Sequence, residues 1–162
     1  MVISDPSMES YNKFNHVKIH SQYSICEGAL KIDELSDFCK KKRIRALGLS
    51  DSFNLCGALE FSENISKSGT QPILGTQVNF LFNDVIGKIP LIAKSEAGYK
   101  SIIKLSSKSF LENDSLNEPH CKINDLLEVP GDIIVLSGSL NCLIGKLFEK
   151  DKISEIKELY NQ

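Results

Sequence analysis

ALGLSDSFNLCGALEFSENISKSG, residues 46–69, holds a strand, a polar break and a helix in that order. Ala46-Leu47-Gly48-Leu49 is a short unbroken apolar run, the pattern of a strand buried on both faces. Ser50-Asp51-Ser52 ends it on polar side chains. Asn54 then stands where an N-cap belongs, for a helix reaching about Ser66, with Gly69 just past its end. A buried strand leading directly into a helix is the building unit of parallel α/β folds.

Working outward, the same alternation continues in both directions. His16–His20 alternates and predicts a strand, followed by a loop through Gly28. Ile32, Leu35, Phe38 and Cys39 fall at helical spacing and predict a helix over Ile32–Lys42. Downstream, Gln71–Phe82 is extended and rich in β-formers, and it breaks at Asn83-Asp84. Ile89–Ala93 is another buried-type strand. Ser95 is the expected N-cap of the next helix, with Glu96 complementing its dipole. Tyr99, Ile102, Ile103, Ser106 and Phe110 mark one face of that helix. A polar loop over Glu112–His120 leads to a short helix containing Asp125–Glu128. Asp132–Leu136 is the next strand, with helical segments near 142–149 and 152–160. The fold class is α/β, a parallel sheet or barrel. Residues 1–13 are a polar, flexible lead-in and 14–162 form one domain, with no internal repeat or low-complexity tract.

Composition narrows the function classes. The chain has 162 residues, 41% hydrophobic and 25% charged, with a net charge of −2. Such a near-neutral chain exerts no global attraction on nucleic acid. Its densest basic run, Lys40-Lys41-Lys42-Arg43, suits the C-terminal end of a helix dipole. Cys26, Cys39, Cys56, Cys121 and Cys142 form no Cys-x-x-Cys pair and are odd in number. With no secretory apolar segment, they point to a reducing cytoplasm. The apolar runs are too short to cross a membrane.

In parallel α/β folds, chemistry collects at the C-terminal ends of strands. Four ends carry polar or small residues: His20-Ser21, Ser50-Asp51-Ser52, Gly75-Thr76-Gln77 and Ser137-Gly138-Ser139. Strand residues two apart share a face, about 6.6 Å apart, and can share one ion. His16 and His20 are about 13 Å apart on that geometry, too far for one ion. The true partner position of His20 is Lys18, and a protonated lysine offers no lone pair. Dinucleotide, phosphate-loop and His-Glu-x-x-His motifs are absent. A Cys–His nucleophile pair such as Cys26 with His20 is conceivable, though proximity in sequence alone more often reflects packing. His120, beside Cys121 in a polar loop, is expected to face solvent.

Assembled in order, these stretches resemble a known family. The matching text is His16-Val-Lys-Ile-His-Ser-Gln-Tyr-Ser24, Glu27-Gly28-Ala29, Ala46-Leu-Gly-Leu-Ser-Asp51 and Asn54-Leu-Cys-Gly-Ala-Leu-Glu-Phe61. It continues with Gln71-Pro-Ile-Leu-Gly-Thr-Gln77, Leu91-Ile-Ala93, Glu96-Ala-Gly-Tyr99 and Ile134-Val-Leu-Ser-Gly138. The chain resembles the N-terminal PHP (polymerase and histidinol phosphatase) domain of bacterial replicative DNA polymerase III α subunits. The resemblance implies a distorted parallel β/α barrel of which this chain is part, incomplete at its C-terminus.

Metal-binding members of the family carry a ring of histidines and acids at the strand ends. Carried over by position, Lys18 stands at a histidine, His20 keeps one, and Glu27 replaces an aspartate. Asp51 is kept, Ser52 stands at a histidine, Gln77 at an acid, Lys88 at a histidine and Ser139 at a cysteine or histidine. The family's last ligand pair would fall beyond Gln162. His20 and Glu27 are the residual ligand candidates, so neither a metal nor a catalytic residue is expected. A Lys18 ammonium near Glu27 and Asp51 is expected to take over an ion's charge role.

The resemblance further implies a structural and docking module in DNA replication, joined to the remainder of the α subunit and to the proofreading exonuclease subunit. DNA would be reached through the parent protein, and magnesium would belong to a polymerase core outside this chain. The alternative is an active zinc- or manganese-dependent phosphoesterase or 3′–5′ exonuclease. A barrel cut short is expected to leave an open strand edge prone to self-association.

Overall fold

The computed structural model describes residues 14–113 and 118–161. The lead-in expected over 1–13 and the centre of the polar loop near 115 lie outside the described residues. In chain order the elements are α1 (Ile32–Lys42), β1 (Ala46–Ser52), α2 (Ala58–Lys67), β2 (Gln71–Phe82), β3 (Val85–Ala93) and α3 (Glu96–Leu111). There follow β4 (Cys121–Lys122), α4 (Ile123–Glu128), β5 (Ile133–Val135), α5 (Leu143–Glu149) and α6 (Ile153–Asn161).

The α/β class holds, but strand directions are mixed. The sheet runs β1-β2-β3-β5, with β4 also paired to β2. β1 and β4 are parallel to β2, whereas β3 is antiparallel to β2 and β5 antiparallel to β3. The physical reason is the Asn83-Asp84 break. Phe82 pairs directly with Val85, and Asn83 adopts a φ of 53°. A two-residue turn with positive φ joins antiparallel strands, so no crossover helix intervenes.

The strand expected over His16–His20 is reduced to one bridge between Ile19 and Leu49. Its backbone still tracks β1: Gly48 N–H donates to His16 O at 2.7 Å and Ser50 N–H to Ile19 O at 2.8 Å. Gly48 permits that approach, since a Cβ there would lie 2.6 Å from Val17 Cα.

Two helices also depart from expectation. Asn54 does not cap α2, which begins at Ala58. Its side chain is spent on a turn, accepting from Cys56 N–H at 3.0 Å and donating to Tyr23 O and Ser52 O. Ser95 does cap α3, accepting from Gly98 N–H at 3.2 Å. The buried face of α3 is Gly98, Ser101, Ile102, Leu105 and Ser109, while Ile103 and Phe110 are exposed. Small residues lie on the packed face because α3 passes close to other backbone: a Cβ on Gly98 would sit 2.1 Å from Asp132 O.

Two apolar clusters hold the layers. One gathers Ile32, Leu35, Cys39, Leu47, Leu49, Phe61 and Ile65 between β1 and the helices α1 and α2. The other gathers Val78, Phe80, Leu91, Ile102, Leu105, Leu143 and Leu147 around β2 and β3. Each fully buried large side chain contributes about 1.5–3 kcal/mol of burial free energy. No helix among the described residues is long and apolar enough to cross a membrane.

Candidate functional site

Register assembles the site. Ser52 at the end of β1 lies beside Gln77 of β2, and Lys88 of β3 lies opposite Asn79. Since side chains alternate along a strand, Ser52, Gln77, Asn79 and Lys88 share one face of the sheet. The 16–20 segment, held against β1, lays His20 over that face.

The side chains form one hydrogen-bonded chain. The Gln77 amide nitrogen lies 3.1 Å from His20 Nε2 and donates to Ser52 Oγ at 3.2 Å. Ser52 Oγ donates to Glu27 Oε2 at 2.6 Å. The Lys88 ammonium pairs with the other Glu27 oxygen, reaches Ser52 Oγ at 3.4 Å and stands 5.0 Å from the centre of the Phe53 ring. An amide donating to His20 Nε2 requires a neutral imidazole with its proton on Nδ1, which faces Ser24 Oγ at 3.4 Å.

Electrostatics agree with that protonation state. Burial lowers the His20 pKa, and the Lys18 and Lys88 charges act in the same direction against Glu27 and Asp51. For Glu27, burial opposes ionisation, but hydrogen bonds from Lys88 and Ser52 outweigh it and hold the carboxyl below its ordinary value.

Asp51 belongs to a neighbouring, separate network. Its buried carboxylate accepts from Ser21 N–H at 2.6 Å, Ser21 Oγ at 2.7 Å and Ser24 Oγ at 2.6 Å. Ser24 Oγ in turn accepts from Ser52 N–H at 3.0 Å, so Ser24 joins the two networks.

The lysine expected to pair with the acids is the wrong one. Among the described residues Lys18 makes no ion pair with Glu27 or Asp51; its ammonium lies 4.0 Å from Cys142 Sγ. Lys88 takes the Glu27 carboxylate, because the antiparallel β3 carries it across the face. Among the described residues, Ser139 reaches the site through Cys142, whose sulfur lies 3.8 Å from Ser139 Oγ and 4.0 Å from Gln77 Oε1.

Thus His20, Glu27, Ser52, Gln77 and Lys88 form one connected set, while Lys18, Ser139 and Asp51 border it. Residues missed by sequence reasoning are Cys142 and Phe53, while Ser21, at an expected strand end, and Ser24 serve as the hydrogen-bonding partners of Asp51. Cys142 lies three positions past Ser139 in the same strand-end loop, which was a usable signal. Cys26 is exposed and shares no hydrogen bond with His20. His120 is half-buried, its Nδ1 lying 2.7 Å from Glu118 O, rather than free in solvent.

With this geometry fixed, comparison with known proteins is decisive. The PHP domain family matches residues 16–162. The chain belongs to that family. This PHP domain is 37% identical over 135 residues to the DNA polymerase III subunit alpha of Rickettsia felis, covering 83% of this chain and 11% of that protein. Against the same-named protein of Borreliella burgdorferi it is 32% identical over 161 residues, covering 93% of this chain and 14% of that protein. The PHP domain thus spans 11–14% of the length of these relatives. An amidohydrolase structure from Chromobacterium violaceum aligns with a TM-score of 0.45 at 19% identity, over 56% of this chain and 32% of that one. Every residue of the connected set lies within the matched span.

Proposed function

We propose that this PHP domain is a non-catalytic structural and docking module of a DNA polymerase III α subunit, acting in DNA replication in the cytoplasm. Its partners on this reading are the remainder of the α subunit and the proofreading exonuclease subunit, with DNA reached through the parent protein. The kinship with proteins named as that subunit supports the assignment to replication.

The observation that carries the non-catalytic part is the Lys88–Glu27 ion pair. A resident ion of the family's type needs three or more protein donors. Among the described residues no group of three His, Cys, Asp or Glu side chains gathers at one point. Of the two candidate ligands, Glu27 is engaged by an ammonium and a hydroxyl, and His20 faces an amide. The donor set does not fit the ion, and Lys88 brings the positive charge instead.

The test is metal content together with phosphodiester hydrolysis on the purified chain. The expected result is less than stoichiometric zinc or manganese and no hydrolysis of a model diester or of single-stranded DNA 3′ ends. One equivalent of either metal, with hydrolysis lost on His20→Ala, would establish the active phosphoesterase or exonuclease instead. Docking is tested by co-purification with the exonuclease subunit encoded in the same genome, and failure to bind it removes that partner.

A further inference from the structure

We infer that the end of the sheet where β1 and β2 begin is a contact surface for the phosphodiester backbone of duplex DNA. The choice of DNA rests on the replication reading above; the choice of a polyanion does not.

Charge placement is the first support. Lys40, Lys41, Lys42, Arg43 and Arg45 are interrupted only by Ile44. The lysines occupy the last turn of α1, and Arg43 ends that helix with a φ of 50°. The chain then enters β1 directly, so Arg45 stands at the start of the strand. Lys67 comes from the last turn of α2. Two hydrogen bonds join these segments: Gln71 N–H donates to Arg45 O at 2.8 Å, and Thr70 Oγ1 donates to Ile44 O at 2.8 Å. The parallel register of Ala46 with Gln71 sets both strand starts side by side.

The second support is the lack of compensating charge. Residues 38–50 and 64–83 contain no aspartate or glutamate. Lys40, Lys41, Lys42, Arg45 and Lys67 are exposed and make no ion pair among the described residues. Elsewhere Lys88, Lys100, Lys108 and Lys152 each hold a carboxylate. In a chain of net charge −2, positive charge is therefore concentrated at this end.

A helix terminus alone does not account for the cluster. The α1 dipole presents roughly half a charge and acts within the last turn. Arg45 lies beyond that turn, and Lys67 belongs to another helix. Like charges within a Debye length of about 8 Å repel, and a polyanion relieves that repulsion. Duplex DNA carries one negative charge per roughly 1.7 Å of axis, and neutralising it releases counterions. Arg45 is about 20 Å along β1 from Ser52, so this surface is separate from the candidate site.

Fluorescence anisotropy of a mixed-sequence duplex of about 20 base pairs, with the full chain in about 25 to 300 mM salt, tests this. Micromolar affinity is expected at low salt, with log K falling against log salt at a slope of about −4. The variant Lys41→Gln/Lys42→Gln/Arg45→Gln should bind at least about tenfold more weakly, its slope reduced by about 3. Lys104→Gln/Lys157→Gln, exposed on α3 and α6, should leave both unchanged. Circular dichroism checks that each variant is folded. Absence of salt-dependent binding overturns the inference, as does equal weakening by the α3 and α6 changes. A triple variant with a lowered unfolding midpoint and unchanged DNA binding shows the cations serving the helix end, and also overturns it. Polyglutamate bound as tightly as the duplex assigns the surface to an acidic protein instead. No duplex binding beside intact co-purification with the exonuclease subunit overturns this contact and leaves the replication reading. Duplex binding without co-purification upholds the contact and removes that partner.

Discussion

β1 and β5 lie at opposite ends of one sheet, and each reverses the ordinary distribution of residues. Every residue of β1 is buried, including Ser50, Asp51 and Ser52. Ile134 and Val135 of β5 are about half exposed. At the β1 end polar groups are inside; at the β5 end apolar groups are outside. Buried polar groups persist only when partnered, and Asp51 and Ser52 are. The hydroxyl of Ser50 is the exception among the described residues. Exposed apolar groups cost nothing in a monomer beyond solubility, but they are available for contact. The difference separates an end organised by internal hydrogen bonds from an end that presents apolar surface.

The strongest way to break this contrast is to make one truncation at both kinds of site. Phe80 is fully buried, and Phe148 is 64% exposed. Phe80→Ala is expected to lower unfolding free energy by about 3–5 kcal/mol, from lost transfer and an unfilled cavity. Phe148→Ala is expected to change it by less than about 0.5 kcal/mol. Urea unfolding of both variants decides. A large loss at Phe148 would mean that its side chain is packed against the rest of the chain more tightly than its exposure indicates.

The next effect belongs to Asp51. Replacing it with alanine leaves the buried donors of Ser21 and Ser24 without their acceptor. About 3 kcal/mol of stability should go, since each unmade buried hydrogen bond costs about 1–3 kcal/mol and some are recovered by water. Asp51→Asn should recover part of it. Equal losses in the two variants would show that the carboxylate's shape matters less than its charge.

His20 offers a smaller, pH-dependent effect. Its folded pKa lies below 6.5, so the folded state favours the neutral ring. As pH falls below 6.5 the unfolded chain takes up the proton first, and stability declines until the folded value is passed. His20→Gln should remove that slope between neutral and mildly acidic pH. A slope unchanged in the variant would place its origin elsewhere.

How much of this was legible in the sequence follows from what each feature depends on. α1 and β2 were bounded correctly because periodicity and β-propensity are local. The start of α2 was missed because Asn54 chose a turn over a cap, two uses of one side chain that sequence does not separate. The face of α3 was read only in part: Ile102 is buried as expected, but Gly98, Ser101, Leu105 and Ser109 share the packed face while Ile103 and Phe110 point outward. At the site, the residues were identified but the pairing was not. Whether Lys18 or Lys88 meets Glu27 depends on the direction of β3, and the Asn83-Asp84 hairpin signal that sets it was read only as a break. An open strand edge was expected, but that it falls at β5, with Ile134 and Val135 about half exposed, depends on which surfaces other elements cover, which no single stretch encodes.

The smallest effect is also the most specific to the site. Lys88→Met keeps most of the side chain's length and removes the ammonium. Glu27 then retains the Ser52 hydroxyl, but burial is no longer outweighed, so its carboxyl should titrate at higher pH than in the parent chain. In the parent chain the depressed carboxyl contributes stability above the unfolded value near 4.5, lost as pH falls through the lower folded value. The variant should lack that acid-side loss. At neutral pH the cost should stay under about 1 kcal/mol, because the Glu27 side chain is 38% exposed and the pair is screened by solvent and salt. Carbon-detected titration of Glu27 reads the shift directly. An unmoved Glu27 would mean that Lys88 rests beside the carboxylate without holding it, and that its ammonium does not stand in for an ion.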